Sequence, residues 1–282
     1  MANPVCLSPL KFYDALEKQE RYKSYAYGHV SPVIMPFNTL YPFQFVLPTG
    51  VGTAIGACWL IRALDNSTVS QIYTQLIEAG LSITNRIVIF PGIFPITSIK
   101  FEGEYYLKIS VGGVYFYSEV FCFTNNTDDC IEIEYWNPEA DFTLKNGSVT
   151  FVNNFHFKVL LKSELGKPEY SFEEEATKRL GYSFVESQVS KKTYKFNAIL
   201  PEYMCDALRL IRLCSNKILM CKGEKYEMLS FDMDVDWQDQ GDLASVNCEF
   251  DIDNIIVNFG GYSAELAGGD FNNDYNADFD NE

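Results

Sequence analysis

Residues 105–121 read YYLKISVGGVYFYSEVF, two runs of alternating apolar and polar side chains joined by Gly112-Gly113. A period of two sends successive side chains to opposite faces of an extended chain, and paired glycines supply the positive φ that a two-residue hairpin turn needs. The same rhythm fills residues 36–135 as seven short runs: FQFVLP, ACWLIRAL, SQIYTQL, LSITNRIVIF, EYYLKISV, VYFYSEVFCF and CIEIEYW. Gly, Pro, Asn and Asp punctuate them, as expected of strands separated by turns. The aromatic content is biased the same way, with 22 Phe and 18 Tyr against 3 Trp, because aromatic side chains suit a pleated, half-buried surface. This stretch is predicted to be an antiparallel β-sandwich.

Ahead of it, residues 1–35 read as an arm, a short amphipathic piece (LKFYDALEKQERYKSY) followed by proline-punctuated coil. Such an arm either packs on its own body or reaches a neighbouring subunit. Beyond residue 135 the strand rhythm is broken once. PEYMCDALRLIRLCS places Met204, Ala207, Leu208, Ile211 and Cys214 on one face at helical spacing. Pro201 suits the first helical turn, which predicts a helix over 201–215. Its other face carries Glu202, Asp206, Arg209 and Arg212, acid-to-base pairs at favourable spacing and the candidate surface for contact with another subunit. SFEEEATKRLG has local helix signals too, a Ser171/Glu174 capping box and Gly181 as a stop. The β-patterned runs on either side allow a β-hairpin arm there instead. A mainly β chain with minor α follows, divided as arm 1–35, sandwich 36–135, a second β-rich unit 136–262 and a tail 263–282.

Charge is distributed very unevenly. Of 38 acidic residues fifteen lie after Lys225, and none of the 22 Lys and Arg do, so that end holds nearly all of the net charge of −16. Within it, FDMDVDW alternates cleanly: Phe231, Met233, Val235 and Trp237 to one side, Asp232, Asp234 and Asp236 to the other. Carboxylates roughly 7 Å apart along a strand repel, so the row must face water, a metal or a cation-rich partner. The chain ends in GGDFNNDYNADFDNE, with Asp270, Asp274, Asp278 and Asp280 spaced like calcium ligands. An EF-hand loop needs Gly at its sixth position and Glu at its twelfth. Counted from Asp270 those positions are Tyr275 and Asn281. A solvated acidic tail after a Gly-Gly hinge is the expectation.

Motifs for chemistry are missing. There is no Walker loop, no G-x-G-x-x-G and no nucleophile motif beside His29 or His156, the two histidines. The eight cysteines form no C-x-x-C, and most sit in apolar runs, where Cys acts as a small reduced hydrophobe. The Asp232/Asp234/Asp236 row has no companion motif for a metal or for glycoside hydrolysis. No basic patch suits specific nucleic-acid binding, no apolar run approaches the length of a membrane helix, and the N-terminus lacks the pattern of a secretory signal. The expectation is a non-enzymatic protein without cofactor or metal.

VSKKTYKFNAILPEYMCDALRLIRLCSNKILM, followed by DVDWQDQGDLASVNCEFDIDNIIVNFGG, resembles structural proteins of tailed phages and prophages of Bacteroidota, as does YYLKISVGGVYFYSEVFCF. The similarity spans roughly residues 36–262. The order of strand, short helix and strands is similar to the β-barrel with one flanking helix of tail-tube, tail-hub and distal-tail proteins. The resemblance implies a homo-oligomeric ring in the virion tail or head–tail region, assembled in the host cytoplasm with other tail or connector proteins. It implies an acidic lumen through which DNA passes non-specifically, with Asp232, Asp234 and Asp236 facing it, and no active site. The extra sandwich and the acidic terminus depart from that pattern. The rival expectation, drawn from the aromatic-rich sandwich, is a carbohydrate-binding or adhesin module.

Overall fold

The computed structural model describes residues 4–18, 33–79, 85–92, 96–139, 142–144, 149–152, 154–179, 182–237 and 243–258. The acidic tail with Asp270, Asp274, Asp278 and Asp280 lies outside the described residues, as does His29. In chain order the strands are β1 (Val5–Cys6), β2 (Phe12–Asp14), β3 (Val33–Pro36), β4 (Phe43–Val46), β5 (Ile55–Arg62), β6 (Thr68–Ile72), β7 (Gln75–Ala79), β8 (Asn85–Phe90), β9 (Gly103–Val111), β10 (Val114–Ser118) and β11 (Phe121–Thr124). They continue as β12 (Cys130–Trp136), β13 (Thr143–Leu144), β14 (Val149–Thr150), β15 (Phe157–Lys162), β16 (Glu169–Arg179), β17 (Tyr182–Pro201), β18 (Asn216–Cys221), β19 (Glu224–Glu227), β20 (Asp232–Trp237) and β21 (Leu243–Asn258). The helix α1 (Glu202–Leu213) joins β17 to β18. About 60% of the described residues are strand and 8% helix, arranged as several sheets and a half-barrel, so the class is mainly β with minor α.

The β9–β10 hairpin turns at Gly112 and Gly113, both at positive φ (56° and 80°), as the glycine pair predicts. It sits in an eleven-stranded sheet ordered β19-β18-β12-β15-β3-β11-β9-β10-β2, with β5 on β9 and β6 on β5. A four-stranded sheet, β1-β4-β8-β7, packs across it. Phe45 of β4 lies 4.4 Å from Phe12 of β2 and 5.8 Å from Phe116 of β10, ring centre to ring centre. The sandwich is not wholly antiparallel, because β3 runs parallel to β11. The N-terminal arm packs on its own body where it is described: β1 pairs with β4, and β2 with β10.

β12 ends at the expected 135/136 division, and it is paired on both edges by strands from beyond it, β15 and β18. Ile131 and Tyr135 from before the division share one core cluster with Phe157, Leu208 and Leu219 from after it.

The remaining large sheet, β16-β17-β21-β20, carries α1 on one face. The helix buries Met204, Ala207, Leu208 and Ile211 of the stripe that the spacing of the sequence marks out, and also Cys205 and Leu210, which that spacing does not mark. The segment with the capping-box signal is strand, not helix. Ser171 pairs with Lys191 and Glu174 with Gln188 across the long β16–β17 hairpin. Cross-strand contacts there, Lys191 to Glu173 at 2.6 Å and Gln188 to Glu174 at 2.6 Å, hold the acids in an extended register. Several such pairs outweigh one capping box in an otherwise unsupported helix.

Candidate functional site

The two faces of the β17-β21-β20 sheet are chemically opposite. Phe196, Ala198 and Leu200 of β17, with Val246, Cys248 and Phe250 of β21, point into the core and are buried. The alternate positions point outward, in cross-strand rows set by register. Asp232 lies beside Glu249 and then Lys195, Asp234 beside Asn247 and Asn197, and Asp236 beside Ser245 and Ile199. The structure thus puts the three aspartates on one solvated face, as the alternation in FDMDVDW requires. Asp234 and Asp236 are exposed and Asp232 is half-buried.

A cleft of about 590 Å³ opens over this face, lined by Glu164, Lys195, Asp232, Asp234, Asn247 and Glu249 among others. The 163–168 segment forms its far wall, tied to β17 by Gly166 N–H donating to the Lys195 carbonyl (2.8 Å) and by the Ser163 hydroxyl donating to the Asn197 carbonyl (2.7 Å). Lys195 stands in the cleft between two carboxylates, 2.6 Å from Glu169 and 3.9 Å from Glu249. Its hydrogen bond to Glu169 holds its pKa above the ordinary lysine value. The acids therefore outnumber the cations, and the cleft keeps a negative field. Among the described residues no three His, Cys, Asp or Glu side chains converge as metal ligands do.

The polar face of α1 is exposed at Glu202, Asp206, Arg209 and Arg212. Asp206 and Arg209 are 3.4 Å apart on the helix. Arg212 leaves that pattern and reaches Asp232 at 2.5 Å. Two sets of residues that are separate in the sequence, the helix face and the aspartate row, thus meet at this one ion pair. Lys195, Glu169, Glu164 and Glu249 were not marked out by any motif. Glu169, Lys195 and Glu249 stand on β16, β17 and β21, where their shared face is readable only once the register is known, and Glu164 lies in the segment between β15 and β16.

A second polar cluster straddles the sequence division at 135/136. Glu134 accepts from Lys158 (3.0 Å) and is 2.7 Å from His156 Nδ1, while His156 stacks on Trp136 with ring centres 4.3 Å apart. Lys158 also reaches Glu132 at 3.5 Å, and Glu132 accepts a short hydrogen bond from Tyr41. Burial raises the pKa of Glu134, but hydrogen bonds from His156 and Lys158 outweigh it and hold the carboxyl below its usual range. The sequence offers His156 no motif, because its partners Glu134 and Trp136 come from β12, twenty or more residues away.

No helix among the described residues is long and apolar enough to cross a membrane. Comparison with known protein families, curated proteins and solved structures finds no match for this chain.

Proposed function

We propose that this chain is a non-enzymatic structural protein of a tailed-phage virion that assembles with copies of itself into a ring, its acidic sheet face turned to a DNA-conducting lumen. The observation that carries the reading is the two-sided sheet. One face is welded to the core, and the other presents Asp232, Asp234 and Asp236 beside Glu249 and Glu164. A ring multiplies that charge, and screening over about 8 Å leaves a narrow channel negative throughout at physiological salt. DNA then slides without adhering, since nothing in the wall releases its counterions. Other tail or connector proteins are the neighbours in this reading, and the virion is the place.

Electron microscopy of the purified protein tests assembly directly: closed rings support the reading and a monodisperse small particle opposes it. Replacing the three aspartates with Lys is expected to preserve the fold and make assembled rings bind DNA in a salt-dependent way. Rings of the Lys variant that stay indifferent to DNA at low salt would remove the row from the channel wall.

One observation favours the carbohydrate-binding alternative. On the outer face of β5, β9 and β10, Lys108 Nζ lies 4.4 Å from the ring centre of Tyr115, 5.9 Å from Trp59 and 6.0 Å from Tyr117. Aromatic platforms of this kind stack on sugar rings. Binding on a glycan array that is lost on Trp59→Ala would favour this reading over the ring.

A further inference from the structure

The β16-β17-β21 sheet extends beyond the body as a three-stranded ribbon, since β20 covers β21 only as far as Glu249. A bulge at Ile252 keeps the faces in phase, so the core-facing side of the body runs on along the ribbon. Its rows are Tyr170–Lys192–Asp253, Phe172–Ser190–Ile255 and Glu174–Gln188–Val257. Next to the body this face is stacked and closed, with Tyr194 against Phe250 at 5.8 Å. Farther out it is bare: Phe172 is 76% exposed, Ile255 66%, Tyr170 62% and Val257 45%. The reverse side is mainly polar, with Ser171, Glu173 and Lys191, the last two ion-paired, and its apolar members are Val189 and Ile256, the latter 60% exposed. An amphipathic sheet with an open apolar face marks an interaction surface.

We infer that this face is a two-fold contact with a second copy of the chain, ribbon packed on ribbon. Three observations select that occupant. The shape is self-complementary: small Ser190 makes a dip between Phe172 and Ile255, and a two-fold axis seats the Phe172 of each copy toward the dip of the other. The charge is self-complementary as well, because each face carries Lys192 together with Glu174 and Asp253, so each ammonium meets carboxylates of its partner. The area is enough when the whole face is covered: given the size of aromatic and branched side chains, the four exposed residues offer at most roughly 500 Å² per copy, so the pair reaches about 1,000 Å², the lower bound for a specific interface. A two-fold contact closes on itself and cannot generate a ring. The inference therefore stands independently of the ring reading, and a dimer without rings, or rings without this dimer, would separate the two.

Sedimentation of the full-length chain over a concentration series tests it. A monomer–dimer equilibrium is expected that tightens as salt rises, because screening the repulsion between copies, each with a net charge of −16, outweighs the weakening of the few exposed pairs that Lys192 makes. Phe172→Asp combined with Ile255→Asp is expected to weaken dimerisation by more than about a hundredfold while the circular dichroism spectrum stays that of the folded chain, since both side chains are exposed. Ser190→Trp, which fills the dip that receives the partner's Phe172, is expected to weaken the dimer, and Ser171→Trp, on the reverse face, is not. A wild-type monomer at every concentration and salt would overturn the inference, whether another protein or the chain itself covers the face. Equal dimerisation by the double variant, or weakening by Ser171→Trp in place of Ser190→Trp, would overturn it too.

Discussion

Arg212, in the last turn of α1, places a guanidinium nitrogen 2.5 Å from a carboxylate oxygen of Asp232, the first residue of β20. The pair clamps the end of the helix to the start of the acidic row, and it is the one point at which the row has a cation from the helix. Both side chains are well exposed, 70% and 49%, so the pair contributes little to stability. Exposed pairs are worth about 0 to 1 kcal/mol. Arg212→Ala is therefore expected to lower the unfolding free energy by under about 1 kcal/mol in a urea titration. Its larger effect is on charge: the row loses its neutralising partner, and the electrophoretic mobility of the native protein toward the anode rises.

Leu208 is the centre of the apolar stripe of α1, with no exposed surface. Leu208→Ala is expected to cost roughly 2 to 5 kcal/mol, the transfer term plus a cavity that the closely packed surroundings cannot refill. Equilibrium denaturation measures it, and a change under about 0.5 kcal/mol would mean that the helix does not seat on the sheet.

Gly112 and Gly113 are both at positive φ, yet they are not equivalent. A Cβ on Gly112 would stand 2.5 Å from the Cα of Gly52, while one on Gly113 meets nothing within 4 Å. Gly113→Ala carries only the left-handed strain, about 1 to 2 kcal/mol. Gly112→Ala adds a backbone clash and is expected to be the more damaging of the two by a clear margin in thermal unfolding.

Glu134 titrates below the normal carboxylate range in the folded chain, where His156 and Lys158 hold its ionised form. A depressed carboxylate stabilises the fold above its unfolded pKa, and that contribution disappears as pH falls through the folded value. Stability measured from pH 7 downward is thus expected to fall in the acid range below the unfolded glutamate value. Glu134→Gln is expected to flatten that fall. An unchanged acid profile in the variant would assign the loss to other carboxylates.

The buried thiols supply a last check. Burial pushes the pKa values of Cys214 and Cys248 up to about 12, so the reactive thiolate is scarce at neutral pH. A thiol reagent is expected to label these cysteines only as fast as the chain opens, and rapid labelling in native buffer would contradict their placement.

Much of the architecture is local, and local pattern is legible. Period-two alternation set the faces of β9, β10 and β20, the Gly pair marked its turn, and the spacing of Met204, Leu208 and Ile211 marked the helix. The three aspartates share a face for the same reason: neighbours two apart in a strand have no other choice. What could not be read is everything that depends on which strands meet. Ser171 and Glu174 carry a helix signal, and only pairing with Lys191 and Gln188 makes them strand. The partnership of Lys195 with Glu169 and Glu249, the approach of Arg212 to Asp232 and the cluster of Glu134, His156 and Lys158 need the register of distant strands. So does the joining of β12 to β15 and β18 across the division marked by the change of rhythm. Each of these is a long-range contact, stabilised by burial and cross-strand pairing that no window of neighbouring residues contains, and the apolar face left open on the ribbon becomes visible only after all of them are in place.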